Sequence, residues 1–343
     1  MAQKTITIYD IAKEAGVSPS TVSRILSNNA GVKNEKRERV MQIVEKYHFQ
    51  PNALAKGLSQ LHSKRIGMLC ADIRNPYFAT IYLECETAAY DKGYNLIFNN
   101  TFGKEDLEVT CMQNMLEQRV ECLIICGGVA DWKPLPPKYR KALEVCCQQI
   151  PVVISGIMEE APQCQQISVD LAGGMRQSIL HLASLGHQKI AFIHGYNYIY
   201  QTQLKIKTFY SVMEELGLPI RNEYLVDAGA FDEKSGFQGM NRLLGLAEPP
   251  TGVIAINDMM AVGALQAIMK LGYSVPDDIS LLGFDDTFLT ELTQPNITSI
   301  HFDYGTLGRM LIDAAVRAIE GKPLLEPILV PATLTIRDSC RKI

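Results

Sequence analysis

The chain has 343 residues, room for two or three domains. A composition of 47% hydrophobic and 20% charged residues is that of a soluble globular protein, and no run approaches the ~20 apolar residues of a membrane span. The net charge of −4 is uneven: residues 1–65 hold 11 Lys/Arg against 5 Asp/Glu, and the remainder 22 against 32, so phosphate contact is expected at the head and not on the body.

The N-terminus, MAQKTITIYD, lacks the apolar core of a signal peptide. Nine cysteines are scattered without C-x-x-C spacing, and several sit in apolar runs where a thiol acts as a small hydrophobe. Reduced thiols in a cytoplasm are expected, with no metal and no cofactor.

Residues 8–26 predict two short helices joined by a tight turn. Ile8, Ile11, Ala12 and Ala15 share one face of the first, and Gly16 ends it because the turn requires positive φ. Ser18 is a good N-cap for the second, with Pro19 in its first turn. Val22, Ile25 and Leu26 face inward there, leaving Ser20, Thr21, Ser23 and Arg24 outside. Hydroxyls and one guanidinium on a helix over a small apolar base suit reading of a DNA major groove. A third helix follows over 34–47, with Asn34 as its cap and Val40, Met41, Val44 and Tyr47 as its buried stripe.

Pro51 then breaks the chain. The segment 52–58 is too short to hold a helix alone in water, where ~12–15 residues are needed.

From Lys64 onward, short apolar runs (RIGMLC, YNLIFN, CLIIC, PVVIS, then ISVD, KIAFIH, YLVD, GVIAIN, ISLLGFDD) alternate with amphipathic stretches over 78–92, 104–119, 137–148, 171–185, 203–216, 233–244 and 259–271. Strands alternating with helices predict parallel sheets covered on both faces. Two such arrays in series predict two lobes with a cleft at the carboxyl ends of the strands.

The sequence D-I-A-x-x-A-G-V-S-x-x-T-V-S-R at Asp10 to Arg24, V-x-x-x-x-R-x-x-V at Val32 to Val40, and Tyr47 followed by P-N-x-x-A at Pro51 to Ala55 resemble the lactose-repressor/galactose-repressor family of bacterial transcription regulators. Further matches are N-P-Y-F at Asn75 to Phe78, L-G-H-x-K-I-A-F-I at Leu185 to Ile193, A-I-N-D-x-x-A-x-G at Ala255 to Gly263 and G-F-D-D at Gly283 to Asp286. The resemblance implies a small all-α helix-turn-helix head (1–50), a hinge helix and linker (51–63), and a two-lobed α/β core of doubly wound parallel sheets, similar to periplasmic sugar-binding proteins (64–343). Three crossings between lobes are implied, with 64–164 and 295–323 in the first lobe and 165–294 and 324–340 in the second.

The same resemblance implies the site residues. Pro19, Ser20 and Arg24 are expected at base edges, with Tyr9, Thr21 and Ser23 at phosphates and Ser18 beside them. Asn52, Ala55, Lys56 and Leu58 belong to the hinge, where Leu58 matches a minor-groove wedge. In the core, Asp170, Asn257 and Asp285 are read from their places at strand ends, while Phe78 and Phe231 match aromatic positions of the family's pocket and Lys205 its Arg; all six are expected to meet a small effector, whereas Asp258 and Asp286 are expected to cap helices. Lys205 and Thr208 stand where the family has Arg and Gly, and Lys offers a point charge instead of a planar fork. Tyr196, Tyr198 and Tyr200 are expected at the rim, and His187 in the packing.

No nucleophile, phosphate-loop or metalloprotease motif appears. The function implied is therefore a homodimeric, cytoplasmic, non-enzymatic regulator, a repressor, on a near-palindromic operator under control of a sugar-like ligand. A sugar-binding transport protein is the alternative; the basic head and the missing signal peptide count against it.

Overall fold

The computed structural model describes residues 6–26, 33–47, 49, 62–323 and 326–343. The chain forms two compact units, Met1–Ser63 and Lys64–Ile343. The expected hinge, with Asn52, Ala55, Lys56 and Leu58, lies outside the described residues.

The first unit holds α1 (Ile8–Ala15), α2 (Pro19–Leu26) and α3 (Asn34–Lys46). Ile11, Ala12, Ala15, Val22, Ile25, Val40 and Ile43 form its core. Gly16 closes α1 at φ 65°, and the Val17 N–H donates to Ala12 O at 3.0 Å. Thr7 starts α1 with a capping box: its Oγ1 accepts from the Asp10 N–H, and Asp10 Oδ2 accepts from the Thr7 N–H at 2.9 Å. Thr7→Ala is expected to cost about 1 kcal/mol of head stability, read as a lower midpoint of the head's thermal transition, with Thr7→Ser near the native value.

Two details of α3 depart from expectation. Lys33, not Asn34, is the cap residue, and it makes no side-chain cap bond. Ile43 is buried, while Met41 and Tyr47 are exposed. The helix turns Val40 and Ile43, spaced i, i+3, inward, and Lys46 ties its end to Glu14 of α1 at 2.8 Å.

The second unit runs β1 (Arg65–Cys70), α4 (Pro76–Asp91), β2 (Asn95–Asn100), α5 (Glu105–Glu117), β3 (Cys122–Cys126), α6 (Pro137–Cys147), β4 (Val152–Ser155), β5 (Gln165–Val169), α7 (Leu171–Ser184) and β6 (Ile190–His194). It continues through α8 (Tyr200–Glu215), β7 (Leu225–Asp227), α9 (Glu233–Leu244), β8 (Gly252–Ala255), α10 (Asp258–Lys270), β9 (Ser280–Asp285), β10 (Thr298–Phe302), α11 (Tyr304–Ile319), β11 (Ile328–Val330) and β12 (Ala332–Thr335). One sheet has the order β11-β5-β4-β3-β1-β2 and the other β12-β10-β9-β8-β6-β7. All pairings are parallel except β10 with β12, which is antiparallel. The central strands are buried on both faces, which is why they read as continuous apolar runs.

The chain crosses between lobes three times, at positions that differ from the expected ones. Gln165–Val169 pairs with β4 in the first sheet, so the first crossing follows Val169. Thr298–Phe302 pairs with β9 in the second sheet, so the return follows Phe302, and α11 then packs on α4. Ile328–Val330 rejoins the first sheet beside β5, and the last crossing lies between Val330 and Ala332. Two crossings touch: the Asp170 N–H donates to Val330 O at 2.8 Å. Each crossing lies at a strand's carboxyl end, where the chain leaves the hydrogen-bonded ladder.

Candidate nucleic-acid interface and ligand cleft

The head presents α2 much as its sequence pattern requires. Ser18 Oγ accepts from the Thr21 N–H at 3.2 Å and lies 2.8 Å from the hydroxyls of Ser20 and Thr21. Val22 and Ile25 are buried. Ser18, Ser20 and Arg24 are exposed, Pro19, Thr21 and Ser23 are half-buried, and Tyr9 on α1 is 71% exposed. A capped helix start carrying three hydroxyls, with a guanidinium farther along the same helix, can donate to base edges and phosphates alike.

In the core, both sheets have a switch point: β1 lies between β2 and β3, and β6 between β7 and β8. The loops beyond these strand ends face one another across a cleft of about 610 Å³. From the first lobe come Asp72, Arg74, Asn75, Tyr77, Phe78, Phe102, Asp131 and Trp132. The second lobe contributes Tyr196, Tyr198, Gln201, Thr202, Lys205, Phe231, Asp232, Glu233, Asn257 and Asp285.

Of the six expected effector residues, Phe78, Lys205, Phe231, Asn257 and Asp285 line the cleft. Asp170 does not: it precedes α7, and its carboxylate accepts from the Gly173 N–H at 2.8 Å, as an N-cap does. Asn257, and not Asp258, is the helix cap. Asn257 caps α10 by accepting from the Met260 N–H at 2.8 Å, and its Nδ2 donates to Phe231 O at 3.0 Å. Asp258 is buried inside the helix start and accepts from the Thr287 N–H at 2.6 Å and the Ser299 hydroxyl at 2.7 Å. Burial raises its carboxyl to about 7 against those bonds. Asp286 also departs from its expected role: it pairs with Arg337 at 2.6 Å.

Lys205 is buried. Its Nζ donates to Ile256 O at 2.9 Å and stands 3.3 Å from the centre of the Phe284 ring. Burial lowers the ammonium to about 8, opposed by Asp285 and Asp258. Asp285 is pushed well above the usual carboxylate range by burial, opposed by Lys205. Its backbone sits at φ 100° and that of Asp286 at φ 52°, conformations that cost on the order of 1–3 kcal/mol each for non-glycine residues. Hydrogen bonds hold both: Tyr304 Oη donates to Asp285 O at 2.6 Å, Arg337 Nη1 and Thr335 Oγ1 donate to the Asp286 carboxylate at 2.6 and 2.9 Å, and the Asp286 N–H donates to Ser299 Oγ at 3.2 Å.

Several cleft residues were not anticipated from sequence. Asp131 is buried at the end of a 3-10 turn (Gly128–Asp131) after β3, and desolvation raises it to about 7. It accepts from Gln201 Nε2 at 3.2 Å across the cleft. Beside it the Lys133 N–H donates to Tyr198 O at 2.7 Å, and the Trp132 and Tyr198 rings meet edge to face at 5.2 Å. The G-G-V-A-D-W stretch after a strand was the available signal. His187 is structural, bonded to Thr251 and Arg341 O. Among the described residues no group of three or more acidic, His or Cys side chains suits a metal, and no helix is long and apolar enough to cross a membrane.

A family model described as bacterial regulatory proteins, lacI family, matches residues 7–52, and one described as a periplasmic binding protein-like domain matches 179–340. Catabolite control protein A of Priestia megaterium is 30% identical over 311 residues, 90% of this chain and 91% of that one. The HTH-type transcriptional repressor PurR of Mannheimia succiniciproducens is 30% identical over 98% of this chain and 99% of its own. A crystal structure of the lac repressor dimer bound to operator and the anti-inducer ONPF superposes with a TM-score of 0.85 at 28% identity, covering 98% of this chain and all of that one. With a capped, exposed α2, a cleft at two facing switch points and relatives alike over nearly their whole length, the chain belongs to the LacI family of bacterial regulatory proteins.

Proposed function

We propose that this chain is a cytoplasmic transcription repressor that binds a near-palindromic operator as a homodimer, with a sugar-like effector in the interlobe cleft setting its affinity for DNA. The observation that carries the reading is one chain holding both an exposed, capped α2 and a cleft lined by buried polar groups and aromatic rings. Pro19, Ser20 and Arg24 contact base edges; Tyr9, Thr21 and Ser23 position the head on phosphates beside Ser18. In the hinge, Asn52, Ala55 and Lys56 follow the minor groove, and Leu58 wedges its centre. Phe78, Phe231, Lys205, Asn257 and Asp285 serve the effector. Ligand changes the angle between lobes at the three crossings and so biases whether the hinge is ordered. The chemistry is recognition, with no bond made or broken.

The test is a mobility-shift assay of the full chain on genomic fragments, with and without added sugars. Retention of a discrete set of fragments, altered by a ligand that also raises the thermal midpoint, is expected; uniform binding to all fragments would overturn the reading. The Arg24 side chain makes no hydrogen bond or ion pair within the described residues, so Arg24→Ala removes no polar contact of the head. It is expected to lower operator affinity by about 1–3 kcal/mol while hardly changing binding to unrelated DNA. Equal losses on both DNAs would reduce Arg24 to a phosphate contact.

A further inference from the structure

We infer that the cleft selects an uncharged, hydroxyl-rich ligand of mono- or disaccharide size and rejects phosphorylated or carboxylated counterparts of the same sugar. This rests on the reading of the cleft as the effector site. Its volume of about 610 Å³ lies within the roughly 300–1,000 Å³ usual for small-ligand pockets.

The first argument is charge. Asp72, Asp131, Asp232, Glu233 and Asp285 face the cavity against two cations, Arg74 and Lys205. Lys205 is buried out of reach of an anion, and Arg74, 76% exposed at the rim, is partly neutralised by Asp72. Asp72 grips Arg74 twice, Nε to Oδ1 at 3.0 Å and Nη2 to Oδ2 at 2.6 Å. Asp232 and Glu233 add their field to Arg74 from the other lobe. Lys205 spends its Nζ on Ile256 O and on the Phe284 face, with Asp285 alongside.

The second argument is the helix ends. A helix N-terminus with open N–H groups is the usual seat for a phosphate. The starts of α4, α9 and α10 all open on the cleft, and each already carries a side-chain acceptor, Asn75, Asp232 and Asn257, on one of its free N–H groups, with Asp232 adding a negative charge there.

What remains open is acceptor capacity. Asp131 has one partner, Gln201, and the Asp285 carboxylate makes no hydrogen bond within the described residues. Thr202, a residue of the same wall, is fully buried, and its Oγ1 has no hydrogen-bond partner among the described residues. Burial drives Asp131 and Asp285 toward the protonated form and Lys205 toward the neutral one, so hydroxyls, which both donate and accept, match these groups, whereas a phosphate or carboxylate must carry its charge out of water into a wall that disfavours charge. The aromatic faces of Trp132, Tyr196, Tyr198 and Phe231 supply the apolar cover that a sugar ring needs.

Trp132 is the one tryptophan of the sequence, so its fluorescence reports on this wall. Full-length chain is titrated with glucose, lactose, cellobiose, glucose 6-phosphate and glucuronate, by fluorescence and by calorimetry. At least one neutral sugar is expected to saturate, and its charged counterpart to bind at least about tenfold more weakly. Asp72→Asn releases Arg74 and is expected to reduce that preference about tenfold, the worth of one charged hydrogen bond. Asp131→Asn keeps the side-chain shape and is expected to reduce it as well; because Asp72 is on the more exposed rim, its variant decides if Asp131→Asn fails to fold. Tighter binding of the phosphate or uronate than of the parent sugar overturns selection against anions but leaves a sugar effector standing. No saturation by any of the five removes both.

Discussion

At pH 8.5 Glu108→Gln is expected to be more stable than the native chain by about 4 kcal/mol, and at pH 4 to be indistinguishable from it. Glu108 lies on α5, is 1% exposed, and its Oε2 accepts from the Val129 N–H at 2.9 Å. Desolvation, with Asp131 nearby, raises its carboxyl from the ordinary 4.5 to about 8. The folded chain therefore keeps this proton up to pH 8, while the unfolded chain releases it near 4.5. Folding takes up a proton between those limits, so the contribution is complete below pH 4.5, shrinks as pH rises, and is gone above 8. Glutamine keeps an acceptor for Val129 and never ionises, so the difference between the two chains isolates this one group from the other buried acids. Urea unfolding followed at Trp132, which adjoins the turn resting on Glu108, measures it. Parallel stability curves from pH 4 to 9 would show that Glu108 is hydrated. The same turn carries Asp131 into the cleft, so ligand affinity in the native chain is expected to weaken over this pH range more than in the variant.

The sequence made some of this legible and hid the rest for physical reasons. The head and most core strands are readable because their apolar periods, 3.6 residues in α1 and α2 and continuous runs in β1, β3 and β6, reflect burial directly. Sheet membership is another matter. Gln165–Val169 looks like any buried strand, and nothing local says that its neighbour is β4 behind it and not β6 ahead. That Asn257 and not Asp258 caps α10 has a similar origin: both residue types cap helices, and the helix phase, set by how α10 packs, decides which one reaches the Met260 N–H. Glu108 sits in a run, E-D-L-E, that reads as a solvated first turn. Only the tertiary fold shows that Asp106 is exposed while Glu108 is buried beneath the turn that carries Asp131. Lys205 was located by its match to a family position, but its bond to Ile256 O and its seat on Phe284 depend on three elements distant in sequence.

Gly263→Val is expected to cost at least about 3 kcal/mol and to abolish ligand-dependent fluorescence change. The helices α9 and α10 approach each other backbone to backbone through two glycines. A Cβ at Gly263 would stand 1.8 Å from Glu233 O and 2.8 Å from Phe237 N; one at Gly236 would stand 2.1 Å from Met260 O. These are main-chain atoms, so no side-chain rotation relieves the overlap, and the helices must separate. Their starts are the parts that serve the cleft: α9 brings Asp232 and Glu233, α10 brings Asn257, and Asn257 Nδ2 joins them through Phe231 O at 3.0 Å. Separating the helices therefore breaks that bond and displaces a whole side of the cavity. Gly245→Ala is the control. Gly245 follows α9 at φ −81°, and its added Cβ would find nothing nearer than 3.5 Å, so a change between zero and a gain of about 1 kcal/mol is expected. If Gly263→Val unfolds at the native midpoint and still binds ligand, the close approach of α9 and α10 is not what shapes the second lobe's side of the cleft.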